Sequence, residues 1–175
     1  MEPVEVATPG TAEIEELAAV AARTFPLACP PTATPENIVE FIDTHLSAER
    51  FAEYLADEDR VVLAAYVYGR IAGYCMLIRG FPEDDADVQQ AVTARPTVEL
   101  SKMYVLPDSH GGAVSAALMQ AALDRVAAAS VWLGVNQQNQ RAQRFYAKHG
   151  FKINGTKSFH LGAGVENDFV MVRAV

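Results

Sequence analysis

The sequence predicts an α/β fold (α+β) in which helices flank a mixed β-sheet. Its first third has helical periodicity, with apolar residues three and four positions apart. Two apolar, β-branched runs follow, separated by a short glycine turn, a pattern typical of an antiparallel hairpin. Beyond residue 97 strands and helices alternate, which predicts a parallel strand pair joined by a right-handed helical crossover. Antiparallel and parallel pairs together make the sheet mixed.

The N-terminal third predicts three helices and one irregular loop. Residues 11 to 24 form the first helix, with Thr11 as its N-cap and acidic residues in the first turn. Four prolines in residues 25 to 35 indicate a stiffened surface loop without regular structure. A second helix begins at Thr34-Pro35 and continues to His45, and a third covers residues 47 to 57.

The remaining two thirds predict six strands and two further helices. We expect the hairpin to turn at Gly69-Arg70 and the run of Glu83, Asp84, Asp85 and Asp87 to be a solvated acidic loop. The predicted strands are Val61 to Tyr68, Ile71 to Arg79, Thr97 to Val105, Val131 to Val135, Phe151 to Leu161 and Asp168 to Val172. The predicted helices are Gly111 to Ala129 and Asn139 to His149, the latter ending at Gly150.

Size and charge limit the classes of protein that this chain can be. At 175 residues, half of them hydrophobic, residues 1 to 175 are expected to form a single domain with one core. The net charge of −8 disfavours nucleic acid as a partner, because a phosphate backbone selects a basic surface. No uncharged apolar run approaches the roughly 20 residues of a membrane span. The acidic N-terminus resembles no targeting peptide, so we expect a cytoplasmic protein without membrane partners.

Cysteine and histidine usage indicates neither a disulfide nor a metal. Cys29 and Cys75 are far apart, one in the proline-rich segment and one in an apolar strand. The four histidines, His45, His110, His149 and His160, do not have ligand spacing. The absence of GxSxG, GxxxxGK[ST] and GxGxxG motifs argues against a serine hydrolase, a P-loop and a dinucleotide site.

The strand from Thr97 to Val105 changes its phase of alternation partway along. Val98 and Leu100 share one phase, whereas Met103 and Val105 share the other, which predicts a β-bulge between them. The strand continues into Pro107-Asp108-Ser109-His110-Gly111-Gly112 and then a helix. Unpaired N–H groups at such a helix N-terminus can bind an anion, although an ordinary tight turn explains the pattern equally well.

The helix after Asn139 has two distinct faces. Ala142, Phe145, Tyr146 and His149 lie on one face, and Arg141, Arg144 and Lys148 lie on another. By spacing alone this is a core face opposite a solvated face.

The ordering VELSKMYVLPDSHGGAVSAALM followed by VWLGVNQQNQRAQRFYAKHGF resembles the GNAT acetyltransferase superfamily, over residues 61 to 175. Within it, WLGVNQQNQRAQRFYAKHGF and the tail FHLGAGVENDFVMV are similar to bacterial spermidine/spermine N-acetyltransferases. The resemblance implies the GNAT fold, a central mixed sheet of six to seven strands flanked by four to five helices. It also implies acetyl-CoA as co-substrate, direct transfer to a small-molecule amine in a ternary complex and, by default, a homodimer. A polyamine or similar cation is the expected acceptor.

The resemblance assigns roles to individual residues. Tyr146 matches the tyrosine that protonates the departing thiolate, and Glu99 lies where many members place the carboxylate that removes the amine proton. The central parallel strands are expected to separate and admit the coenzyme between them. The expected coenzyme-binding residues are Met103, Tyr104, Val105, His110, Gly111, Gly112, Ala113, Val114, Ser115, Asn136 and Asn139.

The chain departs from the family pattern at the pyrophosphate turn and at the last hairpin. His110, Ala113 and Ser115 replace the usual Arg or Gln, Gly, and Gly or Ala. A requirement for positive φ at alanine or serine would weaken coenzyme binding, which keeps open a non-catalytic GNAT-fold binding module. The turn Gly162-Ala163-Gly164 lacks the acidic residue that polyamine enzymes often have there. Transfer to protein N-termini or lysines is a third hypothesis.

Overall fold

A computed structural model describes residues 3–109 and 112–175, which contain one seven-stranded mixed sheet. The strands are β1 (Val4–Ala7), β2 (Arg60–Val67), β3 (Arg70–Arg79), β4 (Thr97–Val105), β5 (Ser130–Asn136), β6 (Lys152–Leu161) and β7 (Gly164–Arg173). The helices are α1 (Ile14–Ala28), α2 (Pro35–His45), α3 (Ala48–Ala56), α4 (Ala86–Ala91), α5 (Ala113–Arg125) and α6 (Gln140–Lys148). No helix in this part of the chain is long and apolar enough to cross a membrane.

The strand order is β1-β2-β3-β4-β5-β7-β6, and among the described strands only β4 and β5 pair in parallel. The predicted α/β mixed-sheet fold is therefore confirmed, and residues 3–109 and 112–175 contain six α-helices where four to five were expected. Successive side chains of the central strands point to opposite faces of the sheet and pack into two separate hydrophobic cores. Leu118 of α5 and Cys75 of β3 belong to one, and Phe51 of α3 and Tyr74 of β3 belong to the other.

The β2–β3 hairpin is confirmed, but its turn lies one residue before the predicted one. Val67 pairs with Arg70, so Tyr68 and Gly69 form the two-residue turn. Both have positive φ, 50° and 75°, as a type I′ turn requires.

The prediction of an irregular segment over residues 25 to 35 is wrong at its beginning. Helix α1 continues to Ala28 and includes Pro26, although proline costs a helix one backbone hydrogen bond. The adjacent Phe25 is buried and stacks on Phe41 of α2, with ring centroids 4.4 Å apart. This packing outweighs the helix-breaking tendency of proline, on which the prediction of a loop was based.

The acidic segment is only partly a loop, because α4 follows directly after Asp85. The Asp85 carboxylate caps this helix by accepting a hydrogen bond from the Val88 N–H at 3.2 Å. Val88 and Ala91 are buried in a small cluster with Trp132 and Val170. The charged residues concealed this short apolar face from sequence reasoning, which also missed the four-residue strand β1.

Strands β4 and β5 pair over only part of their length, which creates the space for a site. Their parallel pairing runs from Thr97–Ser130 to Glu99–Trp132, although β4 continues to Val105 and β5 to Asn136. The predicted bulge is present, because Met76 of β3 pairs with Lys102 and Leu77 pairs with Leu100, leaving Ser101 unmatched. The predicted separation of the central strands is therefore confirmed within the described chain.

Candidate active site

A cavity of about 250 Å³ opens where β4 and β5 separate. One wall consists of β4 beyond the bulge, the end of β5 and the start of α6. The opposite wall consists of the end of α1, the start of the α1–α2 connection, and strands β6 and β7. Of the predicted residues, this cavity brings together Glu99, Met103, Tyr104, Asn136, Asn139 and Tyr146.

At the N-terminus of α5, a glycine occupies the position whose backbone has a positive φ. Gly112 is the N-cap with φ 98°, whereas Ala113 begins the helix and Ser115 lies in its first turn. Alanine and serine therefore have helical backbone here, and the strain that a positive φ would impose on them does not arise. Val114 is buried in the core beneath. The predicted residues His110 and Gly111 lie outside the described residues.

Asn136 and Asn139 shape the main chain between β5 and α6. The Asn139 carboxamide oxygen caps α6 by accepting a hydrogen bond from the Ala142 N–H at 3.2 Å. The Asn136 carboxamide oxygen accepts one from the Gln138 N–H at 2.9 Å. Both asparagines thus hold the α6 N-terminus at the cavity. Val105, in contrast, is buried in the core and does not line the cavity.

Tyr146 projects from α6 towards the cavity and packs on Phe151, with ring centroids 5.9 Å apart. Burial raises the pKa of its hydroxyl, so the phenol stays protonated at neutral pH. No described residue hydrogen bonds with this hydroxyl. It is therefore a proton donor whose hydrogen can be directed at a ligand.

Glu99 and Lys102 lie on either side of the bulge and both line the cavity. Burial raises the pKa of Glu99, opposed by the nearby positive charges of Lys102, Lys157 and Arg60. Burial lowers the pKa of Lys102 to about 8, opposed by the attraction of Glu99. Glu99 is thus a carboxylate of weakened acidity, which suits a group that accepts a proton near neutral pH.

Asp168 on β7 is a further acidic residue of the cavity, and sequence reasoning missed it as a functional residue. The residue is 7% exposed, and its carboxylate lies over Gly134, where an added Cβ would be 3.0 Å from the Asp168 Oδ2. Burial raises the pKa of Asp168 to about 6, opposed by the positive charge of Lys157. The available signal was a lone aspartate at the start of the apolar run Phe169-Val170-Met171-Val172.

Two hydrogen bonds within the opposite wall join the α1–α2 segment to the β6–β7 hairpin. The Thr32 hydroxyl donates to the Glu166 carboxylate at 3.2 Å, and the Ala163 N–H donates to the Asn37 side chain at 3.2 Å. Phe41 stacks on Phe25 and contacts Phe159 at a centroid distance of 5.4 Å. The α1–α2 segment therefore covers the cavity with an aromatic surface.

Separated parallel strands, a bulge beside them and a glycine-capped helix N-terminus define the fold of acyl-CoA-dependent N-acyltransferases. The described residues suit that ligand, since the unpaired edge of β4 and the first turn of α5 offer N–H groups. The family model described as "Acetyltransferase (GNAT) family" matches residues 21–151. The chain therefore belongs to the GNAT family and is an acetyl-CoA-dependent N-acetyltransferase.

Relatives of this chain are also named as N-acetyltransferases. An uncharacterized N-acetyltransferase of Mycobacterium tuberculosis is 60% identical over 164 residues, which are 92% of this chain and 97% of the relative. An uncharacterized N-acetyltransferase of Lactobacillus delbrueckii subsp. lactis is 23% identical over 166 residues, 93% of this chain and 92% of the relative.

Solved structures share the fold at low sequence identity. The PaiA N-acetyltransferase of Thermoplasma acidophilum, solved in complex with coenzyme A, superposes with TM-score 0.76 at 19% identity over 99% of both chains. The ribosomal-protein-S18-alanine N-acetyltransferase of Escherichia coli gives TM-score 0.68 at 17% identity over 99% of this chain and 94% of that one. Neither likeness distinguishes a small-molecule acceptor from a protein acceptor.

Proposed function

We propose that this enzyme transfers the acetyl group of acetyl-CoA to a primary amine of a small molecule in a ternary complex. The observation that carries this proposal is the cavity at the separation of β4 and β5, which Glu99 and Tyr146 both line. Holding two reactants in line there supplies much of the rate, because the reaction becomes effectively unimolecular.

Each proton has an assigned acceptor or donor in this proposal. The acceptor nitrogen loses a proton to Glu99 and bonds to the acetyl carbon of acetyl-CoA. The carbon–sulfur bond breaks, and the Tyr146 hydroxyl donates its proton to the leaving thiolate. Glu99 suits the role of proton acceptor because burial raises its pKa. Tyr146 suits the role of proton donor because its hydroxyl is protonated and has no hydrogen-bonding partner among the described residues.

The coenzyme is assigned to the wall formed by β4, α5 and α6. Met103, Tyr104 and Val105 belong to the separated strand, and residues 112 to 115 and Asn139 lie at the two helix N-termini. The positive φ at Gly112 supports a working turn, which weakens the case for a non-catalytic module. Thermodynamic assays of acetyl-CoA binding decide between these two hypotheses.

The covered cavity supports a small acceptor over a protein acceptor. The Thr32–Glu166 and Asn37–Ala163 contacts hold the α1–α2 segment across the amine side, where a peptide would need an open groove. A polyamine is our candidate acceptor because a second groove adjoins the cavity and shares Phe41, Lys102, Lys157 and Phe159 with it. Its rim contains Asp84, Asp85 and Asp87, which would attract a second ammonium group.

The oligomeric state and the cellular location are part of this proposal. We propose a homodimer paired through the C-terminal strands, because β6 is an edge strand with the exposed apolar residue Ile153. We also propose that it acts in the cytoplasm. Sedimentation of the purified protein at several concentrations tests the dimer.

The test of the function is isothermal titration of acetyl-CoA, followed by thiol release on adding spermidine, phenethylamine or an alanine-initiated peptide. We expect micromolar coenzyme binding and release with the small amines. The absence of coenzyme binding would support the non-catalytic module. Release with the peptide alone would show a protein acetyltransferase.

A further inference from the structure

We propose that Asp168 is the residue that binds the charged nitrogen of the acceptor, so that the acceptor enters as a primary ammonium ion held by this carboxylate. The inference rests on the proposed function and adds the residue that recognises the amine. It concerns binding. Glu99 removes one proton from the bound ammonium to give the free amine, and the second proton, lost as the nitrogen bonds to the acetyl carbon, goes to the phenolate that Tyr146 becomes when it protonates the thiolate.

Asp168 is buried without a hydrogen-bonding partner among the described residues. The residue is 7% exposed and lines the cavity, yet no described residue donates a hydrogen bond to it or forms an ion pair with it within 4 Å. A buried carboxylate without partners costs stability, so a position of this kind is expected where a ligand supplies the missing donor.

The three carboxylates of the cavity differ in their partners. Glu166 accepts hydrogen bonds from Thr32, and Glu99 is influenced by three nearby cations, Lys102, Lys157 and Arg60. Asp168 is influenced by one cation, Lys157, and by the negative charge of Glu166. Asp168 therefore has fewer cations near it than Glu99 and lacks the hydrogen-bond donor that Glu166 has, so a ligand ammonium would supply both a charge and a donor.

The ammonium group of Lys157 points away from Asp168. Its Nζ donates to the Ser158 carbonyl at 3.1 Å and lies 3.9 Å from the Asp85 carboxylate. Its Cδ, in contrast, lies beside Gly134, so the aliphatic stem and not the ammonium borders Asp168. The missing side chain of Gly134 provides the space that the Asp168 carboxylate occupies.

The charged surroundings also predict how amine binding depends on pH. Lys157 on β6 and Glu166 on β7 face Asp168, and Tyr104 on β4 is electrostatically coupled to it. Burial raises the pKa of Asp168 to about 6, so the carboxylate is ionised above this pH and binds an ammonium ion. We expect amine affinity to fall as the pH drops below about 6.

The kinetic test is Asp168→Asn, assayed with spermidine and with phenethylamine at saturating acetyl-CoA. Loss of a charge-assisted hydrogen bond predicts a KM for the amine about 10- to 100-fold higher, with the Kd for acetyl-CoA unchanged. Glu99→Gln should lower kcat instead. Asp124→Asn, at an exposed position on α5, is the charge-matched control and should leave both constants unchanged. An unchanged KM in Asp168→Asn, whatever happens to kcat, would overturn the proposal.

A second measurement does not require turnover. The carboxyl ¹³C resonance of Asp168, assigned by its loss in Asp168→Asn, is titrated in wild-type protein with coenzyme A present. Ethylammonium chloride should lower the pKa of this carboxyl, and ethanol should not. An unchanged pKa would reject Asp168 as the ammonium site. A failure of acetyl-CoA to bind would count against the proposed function alone.

Discussion

The two walls of the cavity hold their ligands by different means. The coenzyme is assigned to main-chain groups of β4 and of the N-termini of α5 and α6, which we call the coenzyme wall. The amine wall consists of charged side chains, those of Glu99 and Lys102 on β4, Lys157 on β6 and Asp168 on β7. Main-chain groups tolerate side-chain replacement, as Ala113 and Ser115 illustrate, whereas a charged pocket changes with a single substitution.

The largest expected effect is on kcat, from a substitution in the cavity where the two walls meet. Tyr146→Phe removes the proton donor and should lower kcat about 100-fold or more, as expected for general acid catalysis. Acetyl-CoA affinity and thermal stability should stay the same, because no described residue hydrogen bonds with the hydroxyl. Thiol release measures the rate, and Tyr68→Phe in the exposed turn is the control. Equal rates for Tyr146→Phe and wild type would remove its assigned role.

A second substitution tests the main-chain wall. Gly112→Ala places a side chain at φ 98°, which costs about 1–2 kcal/mol, although no atom lies within 4 Å of the new Cβ. The helix N-terminus must shift, so the Kd for acetyl-CoA should rise about tenfold while the KM for the amine stays constant. Gly80→Ala has the same type of strain at φ 96° away from the cavity and serves as the control. If both variants bind acetyl-CoA equally well, the α5 turn is not the phosphate site.

The matching substitution on the amine wall is Gly134→Ala. Its Cβ would lie 3.0 Å from the Asp168 Oδ2 and 3.4 Å from the Lys157 Cδ, so the carboxylate must move by a few tenths of an ångström. We expect the KM for the amine to rise about 3- to 10-fold, with the Kd for acetyl-CoA constant. The control is Gly10→Ala, where the nearest atom is 3.5 Å away. A change confined to acetyl-CoA affinity would contradict the division between the walls.

The smallest effect concerns stability and pH. Because the pKa of Asp168 is about 6 in the folded protein and ordinarily 3.8, the folded state retains a proton that the unfolded chain has lost between these values. Stability therefore falls as the pH rises through that interval, and the loss is complete above pH 6. Asp168→Asn should be more stable than wild type at pH 8 by about 1 kcal/mol, raising Tm by about 2–4 °C.

Melting curves across pH check this expectation, and the gain should vanish as the pH approaches about 4. A variant less stable than wild type at pH 8 would show that the fold uses the Asp168 charge.

Patterns local in sequence predicted most of the coenzyme wall. The phase slip between Leu100 and Met103 identified the bulge, and the glycines before Ala113 identified a turn at a helix start. Asn139 was predicted to begin the last helix, and in the structure it is the N-cap of α6. These features depend on backbone geometry over a few neighbouring residues, and such geometry leaves a readable signal in the residue order.

The amine wall was predicted only in part, because its residues come from distant segments. Glu99 was identified through family resemblance, whereas Lys157 and Thr32 gave no local signal and Asp168 gave only that of a lone aspartate before an apolar run. Pro26 suggested an irregular segment, yet the stacking of Phe25 on Phe41 keeps that segment helical. Neither the pairing of Thr32 with Glu166 nor the placement of Asp168 over Gly134 can be read from periodicity.

Periodicity and turn chemistry determined strands β2 to β7, the β2–β3 hairpin and the position of the bulge, because these follow from interactions between residues close along the chain. The tertiary structure decided that α1 extends through Pro26, that α4 and β1 form, and which carboxylate is buried without a hydrogen-bonding partner. Burial and electrostatic compensation depend on what surrounds a group in space, and Thr32 and Glu166 are 134 positions apart in the sequence.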